Sequence, residues 1–287
     1  MDFRPSRFEI LPVVVKNLLI INGLVFLATV VLGRQDIDIT PFMALHHWQS
    51  NDFGIWQFIT HLFMHGHVAG VNPDYEGGFM HLFSNMFALW MFGSLLENYF
   101  GSKRFLAFYL LCGVGAALFH LGVYSYELNT FQNAFMAFKA NPTCKELSLF
   151  LTQYGSTMDS DFLRYLESLH RDWLDNPMNG SYGQTAITML NQYQSAFVNQ
   201  ATVGASGAVF GILFAFGYLF PNTLIYLYFF FPIKAKYFVA LYALFELYAG
   251  VRNSAGDQVA HFAHLGGMII AFLVIKIWNK THRSHFY

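Results

Sequence analysis

The chain is short of charge. Only 11% of its 287 residues are Asp, Glu, Lys or Arg, where a soluble domain carries about 25%. That scarcity excludes a disordered chain and most water-soluble enzymes. An excess of one sign is also missing, with 16 basic and 17 acidic residues. No nucleic-acid partner is therefore expected, since such binding rests on positive charge. Cysteine is nearly absent. Cys112 lies in an apolar run and Cys144 in a polar region, so neither a disulfide framework nor a bridge between them is expected. Internal repeats, low-complexity tracts and a cleavable leader are not evident either. The first apolar run, 12–33, is too long for a signal peptide and has no small-x-small cleavage site. What remains is apolar and aromatic, 55% and 19% of the chain, with a mean hydropathy of +0.38. These figures describe an integral membrane protein.

A bilayer core takes about 20 mostly apolar residues per helix. Six segments qualify as spans: 12–33, 79–96, 105–124, 202–220, 237–250 and 259–275. The fifth is short and is expected to borrow from 229–236. Basic residues set the orientation. With the N-terminus inside, ten of the sixteen fall on inner segments, although the outer segments are far longer. Both termini are thus expected inside. The expected fold is all-α, a polytopic six-helix bundle forming one membrane domain over 1–287. It carries an outer loop at 34–78 and an extramembrane insertion at 125–201. Within the insertion, helices are expected at 161–174, after a Ser160 cap, and at 185–200. The insertion has no clear core pattern, and Asn179-Gly180-Ser181 reads as a chance sequon.

Polar residues inside a span are costly, so each is a functional candidate. Asn17, Asn22 and Thr29 can serve packing in the first span. Glu246, near the outer end of the fifth, is expected to reach water, and His120 of the third to sit near the outer surface. The second, fourth and sixth spans differ. His81 and Asn85 share one helix face at i and i+4. The fourth opens with Gly204-Ala205-Ser206-Gly207, and the sixth carries His261, His264, Gly266 and Gly267. All three run from outside to inside, so these groups lie at one shallow depth. A serine needs a base to become nucleophilic, and histidine titrates in the right range. Gly204 and Gly207 beside Ser206, with Gly267 and Ala271 on the His264 face, strip both helices of bulk so that short side chains can meet. His81, Asn85 and the Ser206 amide could then donate to an oxyanion.

These residues resemble the rhomboid family of intramembrane serine proteases. The likeness covers roughly 12–124 and 202–277. It rests on His81-x-x-x-Asn85, Gly204-Ala205-Ser206-Gly207, Ala263-His264-Leu265-Gly266-Gly267, and the 93–102 connection with Glu97 and Gly101. The resemblance implies a Ser206–His264 dyad without an acidic third member, Ser206 as nucleophile and His264 as base and then acid. His81, Asn85 and the Ser206 amide would form the oxyanion hole. Gly204, Gly207 and Gly267 would support the site. Phe210 would replace a tyrosine that packs on the histidine in many relatives, leaving orientation of His264 to packing. His261 would face the same water-filled cavity. Trp56-Gln57 stands where many relatives have Trp-Arg. The stretch 66–80 is longer than usual, and the large insertion would be a substrate-selecting lid or a docking surface.

A histidine group, His46, His47, His61, His65 and His67, invites a metal. The resemblance instead assigns His61 and His65 to hydrogen-bonded loop positions, and no metal or cofactor is expected. The implied activity is cleavage of single-pass membrane proteins near the outer leaflet. Substrates would enter past the fifth span, with membrane lipids as surroundings. The implied location is a prokaryotic cytoplasmic membrane, both termini cytoplasmic. The alternative is a catalytically silent rhomboid-like protein that binds membrane clients. A transporter fits less well, because no pair of broken helices repeats.

Overall fold

The structure is a computed structural model that describes residues 8–66, 74–227, 231–252 and 260–282. His67 of the histidine group falls outside these residues. Two one-turn helices, Thr40–Met43 and Gln57–Thr60, aside, the helices in chain order are α1 (Val13–Gly33), α2 (Tyr75–Phe100), α3 (Ser102–Ala140), α4 (Cys144–Tyr154), α5 (Ser160–Asp175) and α6 (Ser181–Val198). They are followed by α7 (Ser206–Leu219), α8 (Ala235–Arg252) and α9 (His261–His282). A small antiparallel hairpin, β1 (Leu224–Leu227) and β2 (Phe231–Lys234), precedes α8 and pairs Ile225 with Ile233. The chain is an all-α polytopic membrane protein. Among the described residues, α1, α2, α3 and His261–Lys280 of α9 are long and apolar enough to cross a membrane, and α7 is a shorter apolar helix.

Burial follows from composition. Helix α1 is apolar on every side, yet it exposes Ile20, Leu24, Leu27 and Val31 while burying Val15 and Leu18. Such a pattern suits lipid, not water. Its buried polar groups bond within the helix: Asn22 Nδ2 donates to the Leu18 carbonyl at 2.7 Å and Thr29 Oγ1 to that of Val25 at 2.8 Å. Pro12 caps α1 without a side-chain oxygen. Its free N–H groups are met from the last turn of α2 instead. There Glu97, 2% exposed, accepts from the amides of Val14 and Val15 at 3.0 and 2.8 Å and from Ser102 Oγ at 2.6 Å. Orphan amides at a helix start and a buried carboxylate thereby satisfy each other.

Helix α7 is the axis of the bundle. It is buried from Gly207 to Leu213 and from Ala215 to Gly217. With 14 residues it extends roughly 21 Å, against an apolar core of about 30 Å. The helix alone therefore does not span the core, and 202–205 lead into it as non-helical chain. Irregular backbone at depth needs protein partners. Thr202 finds them by bridging to Leu45, and the Gly204 amide by donating to the His61 carbonyl at 2.9 Å.

Helix α3 does not stop where the third span was expected to end. It continues as one 39-residue helix to Ala140, and its far half packs with α4, α5 and α6. Phe131, Phe135, Phe138, Leu147, Phe150, Leu166, Trp173 and Leu190 form a core of their own there. The insertion thus has the core its sequence did not reveal. One helix supplies the aromatic stripe and three short ones cover it, so no single segment carries the pattern. The cap of α5 is Asp159, whose carboxylate accepts from the amides of Asp161 and Phe162 at 2.9 and 3.2 Å, not Ser160.

Candidate active site

Ser206 is the first residue of α7, where amides have no partner within the helix. Its Oγ lies 2.8 Å from His264 Nε2, which sits in the first turn of α9. The approach depends on two glycines. A Cβ on Gly267 would fall 1.9 Å from the Gly207 carbonyl oxygen, so α7 and α9 touch backbone to backbone. Gly204 has φ of +121°, and a Cβ there would lie 2.8 Å from His81 Cε1. A side chain at Gly204 would be strained and would displace the ring beside the serine.

Helix α2 brings His81 to this place and carries Asn85 one turn further along. Asn85 is buried, and its Nδ2 donates to the His81 carbonyl at 2.9 Å. One amide hydrogen is thus held along the helix, and the other has no described partner. His65 meets His81 edge-on with 5.1 Å between ring centroids. A water-sized cavity beside the serine is lined by His61, His120, Thr202, Gly204 and Ser206.

His264 is gripped on two further sides. The ring of Phe210 stacks on it, 3.9 Å between centroids and 5° from parallel, and Tyr242 of α8 stacks on Phe210 in turn at 5.2 Å. His264 Nδ1 lies 2.9 Å from Glu246 Oε2, and His261 Nδ1 lies 2.6 Å from the same oxygen. Glu246 is 3% exposed and does not reach water. This corrects both expectations about it: the carboxylate is buried, and His264 does have an acidic neighbour, so its orientation does not rest on packing alone. A carboxylate only accepts hydrogen bonds, so both Nδ1 atoms carry hydrogen. The remaining nitrogen of neutral His264 then accepts from Ser206.

A match to the rhomboid domain family covers residues 52–130 and 178–280. The chain belongs to the rhomboid family. The matched stretches contain Ser206, His264, His81, Asn85 and Glu246 and omit most of the insertion core. The chain is also 26% identical over 276 residues to an uncharacterized mitochondrial rhomboid protein of Schizosaccharomyces pombe. That alignment covers 91% of this chain and 63% of the relative, so the chain spans less than two thirds of the protein it matches. The relative is mitochondrial, which gives the expected prokaryotic cytoplasmic membrane no support.

In this rhomboid chain the outer-loop histidines are spread through the loop structure. His46 Nδ1 lies 3.0 Å from the Ala44 carbonyl, His47 Nε2 2.9 Å from Ser125 Oγ, and His61 Nδ1 2.7 Å from the Gln57 carbonyl. His65 differs: among the described residues its one hydrogen-bond neighbour is the Phe63 backbone, too far off to make a good bond. Burial presses the His61 pKa down to about 4, partly offset by the Gln57 bond. Burial, then the adjacent His81, press that of His65 to about 3. Gln57 takes over the centre of the loop. Fully buried, it accepts from the His46 amide at 3.1 Å and donates to the Pro41 and Asp52 carbonyls at 2.9 and 2.7 Å. His120, expected near the outer surface, is held by Thr202 Oγ1 at 3.0 Å.

Among the described residues, the group able to hold a metal ion is Glu246, His261 and His264, with ligand atoms within 4.8 Å of one another. Their 2.6 and 2.9 Å N···O separations are hydrogen-bond lengths. Ligands around tetrahedral zinc stand on the order of 3.3 Å apart. Sequence reasoning missed Glu246, although a signal existed. It is the sole acidic residue between Ala235 and Arg252, and an ionisable group inside a span calls for a named partner.

Proposed function

We propose that this rhomboid chain is an intramembrane serine endopeptidase that cuts transmembrane segments of membrane proteins. The observation that carries the reading is the 2.8 Å hydrogen bond from Ser206 Oγ to His264 Nε2. That distance lies within the roughly 2.6–3.2 Å over which a base can take a proton. Family membership and the approach of the His81 ring to Gly204, two residues before the serine, support it.

In the proposed reaction Ser206 Oγ attacks the scissile carbonyl carbon while its proton passes to His264 Nε2. The negative oxygen is met by His81, the Asn85 amide and the Ser206 N–H. The C–N bond then breaks, and the leaving nitrogen takes the proton from His264. A water, activated by the same histidine, attacks the acyl-Ser206 ester, and the proton returns to Ser206 as the acid product leaves. The cavity beside Ser206 has room for such a water. Substrate entry past α8, with the site facing the side of the membrane opposite the N-terminus, belongs to this reading.

The test is cleavage of a single-pass transmembrane substrate by purified protein in liposomes. Wild type is expected to cut it and Ser206→Ala to leave it whole. Equal cleavage by both would overturn the reading. A silent client-binding protein would show no cleavage and no fluorophosphonate labelling of Ser206. Labelling of wild type but not of His264→Ala would exclude that alternative.

A further inference from the structure

We propose that Glu246 is a positioning residue for His264, making the working unit Ser206–His264–Glu246 with His261 as the holder of the carboxylate. This rests on the protease reading above and adds to it the acidic member that the resemblance omits.

Three observations carry it. The first is burial. Glu246 stands on α8 at 3% exposure, while the apolar side chains around it on the same helix, Leu244, Phe245 and Leu247, point outward. A carboxylate this far from water is costly unless its hydrogen bonds are met. The second is how they are met. Both donors belong to α9, His261 and His264 in successive positions along one face, and both reach Oε2, at 2.6 and 2.9 Å. The third is direction. The His264 ring that gives its Nδ1–H to Glu246 faces Ser206 with Nε2, 2.8 Å away. Holding hydrogen on Nδ1 keeps Nε2 free to take the serine proton. The carboxylate also lies where it can stabilise the imidazolium that forms after that transfer.

His261 has a separate task. Its shorter bond to the shared oxygen pins Glu246 while the His264 ring changes charge during each cycle. Stacked Phe210 fixes the plane of the His264 ring, and Glu246 fixes its rotation within that plane. Neither contact alone determines both.

A plain structural tie between α8 and α9 would use the same hydrogen bonds, so the test separates the two roles. Glu246→Gln preserves shape but can offer its NH₂ to His264 Nδ1. That amide would move the ring hydrogen to Nε2, where it blocks proton transfer. The expected result is a fall in kcat of about 10²–10⁴-fold with KM within about threefold of wild type. Fluorophosphonate labelling of Ser206 should slow in parallel. Glu246→Asp keeps the charge on a shorter arm and should restore a large part of the lost kcat. His261→Asn, which loosens the carboxylate without touching His264, should cost about tenfold or less.

A Glu246→Gln kcat within threefold of wild type would overturn the proposal. So would equal losses in Glu246→Gln and Glu246→Asp that track a common drop in Tm, because those belong to a helix tie. Where Glu246→Gln itself unfolds, the ratio of Glu246→Asp labelling rate to its folded fraction decides. A ratio near that of wild type supports positioning by charge, and a ratio about 10²-fold or more below wild type overturns it. If wild type fails to cleave or label at all, the protease reading fails instead, and the two failures are distinct.

Discussion

Phe210 and His264 lie face to face, 3.9 Å between ring centroids and 5° from parallel, with both side chains at least nine-tenths buried. One ring belongs to α7 and the other to α9, so the contact ties the serine helix to the histidine helix. Phe210→Ala removes this platform and leaves a cavity. Expected losses are about 3–5 kcal/mol of stability and about tenfold in kcat. Phe210→Tyr keeps the stack and should lose far less of both. Cleavage rates and detergent melting curves of the two variants check this.

Gly267→Ala is expected to be more severe than its single carbon suggests. The added Cβ would stand 1.9 Å from the Gly207 carbonyl oxygen, and backbone cannot yield as a side-chain tip does. The two helices must separate, which costs about 1–3 kcal/mol or more. The Ser206–His264 bond lengthens with them. A folded Gly267→Ala protein with unchanged fluorophosphonate labelling would contradict this account of the close approach.

Glu97 offers a contrasting variant, far from the reaction. Glu97→Ala strands the Val14 and Val15 amides and the Ser102 hydroxyl. Each orphaned buried group costs about 1–3 kcal/mol. Melting temperature should drop, while kcat measured on the remaining folded fraction stays near wild type.

The outer loop should make stability sensitive to acid. His61 has a folded pKa of about 4 against an ordinary 6.5. Below about 6.5 the unfolded chain binds a proton that the folded chain refuses. Stability is therefore full above that pH and falls as pH drops toward 4, by about 3 kcal/mol at the acid end for a shift of this size. His65, pressed to about 3, adds loss in the same direction. Melting curves between pH 7.5 and 4.5 would show the decline, and His61→Gln should flatten it. A decline of the same steepness in His61→Gln would assign the acid sensitivity elsewhere.

The reading from sequence was sharpest where lipid made polarity conspicuous. Ser206, His264, His81 and Asn85 stood out because each interrupts an apolar run, and the structure pairs Ser206 with His264 and sets His81 against Gly204 just before α7. Glu246 interrupts a run too, but its place near the end of a short span allowed it a route to water. Only the packing of α8 on α9 shows that route closed. The extent of α3 was hidden for a related reason. Beyond Tyr124 its sequence turns half polar, because one face meets the insertion and the other meets water, and a rule tuned to lipid stops counting there. The long residue in place of the usual arginine, Gln57, read as a loss, yet three short hydrogen bonds to backbone make it the centre of its loop.

Helix α3 also fixes a height. Its 39 residues extend roughly 58 Å, about twice the apolar thickness of a bilayer. Near its middle it touches the active-site helix, where Ala116 packs against Gly207, and its far end carries the insertion core at Phe131, Phe135 and Phe138. The other end of the insertion is fastened as well: Asn199 accepts from Ser50 at 2.7 Å, and Tyr124 donates to the Phe197 carbonyl. A mast stayed on both sides does not swing. The insertion core therefore stands at a set distance from Ser206, as the far mark of a ruler stands from its zero.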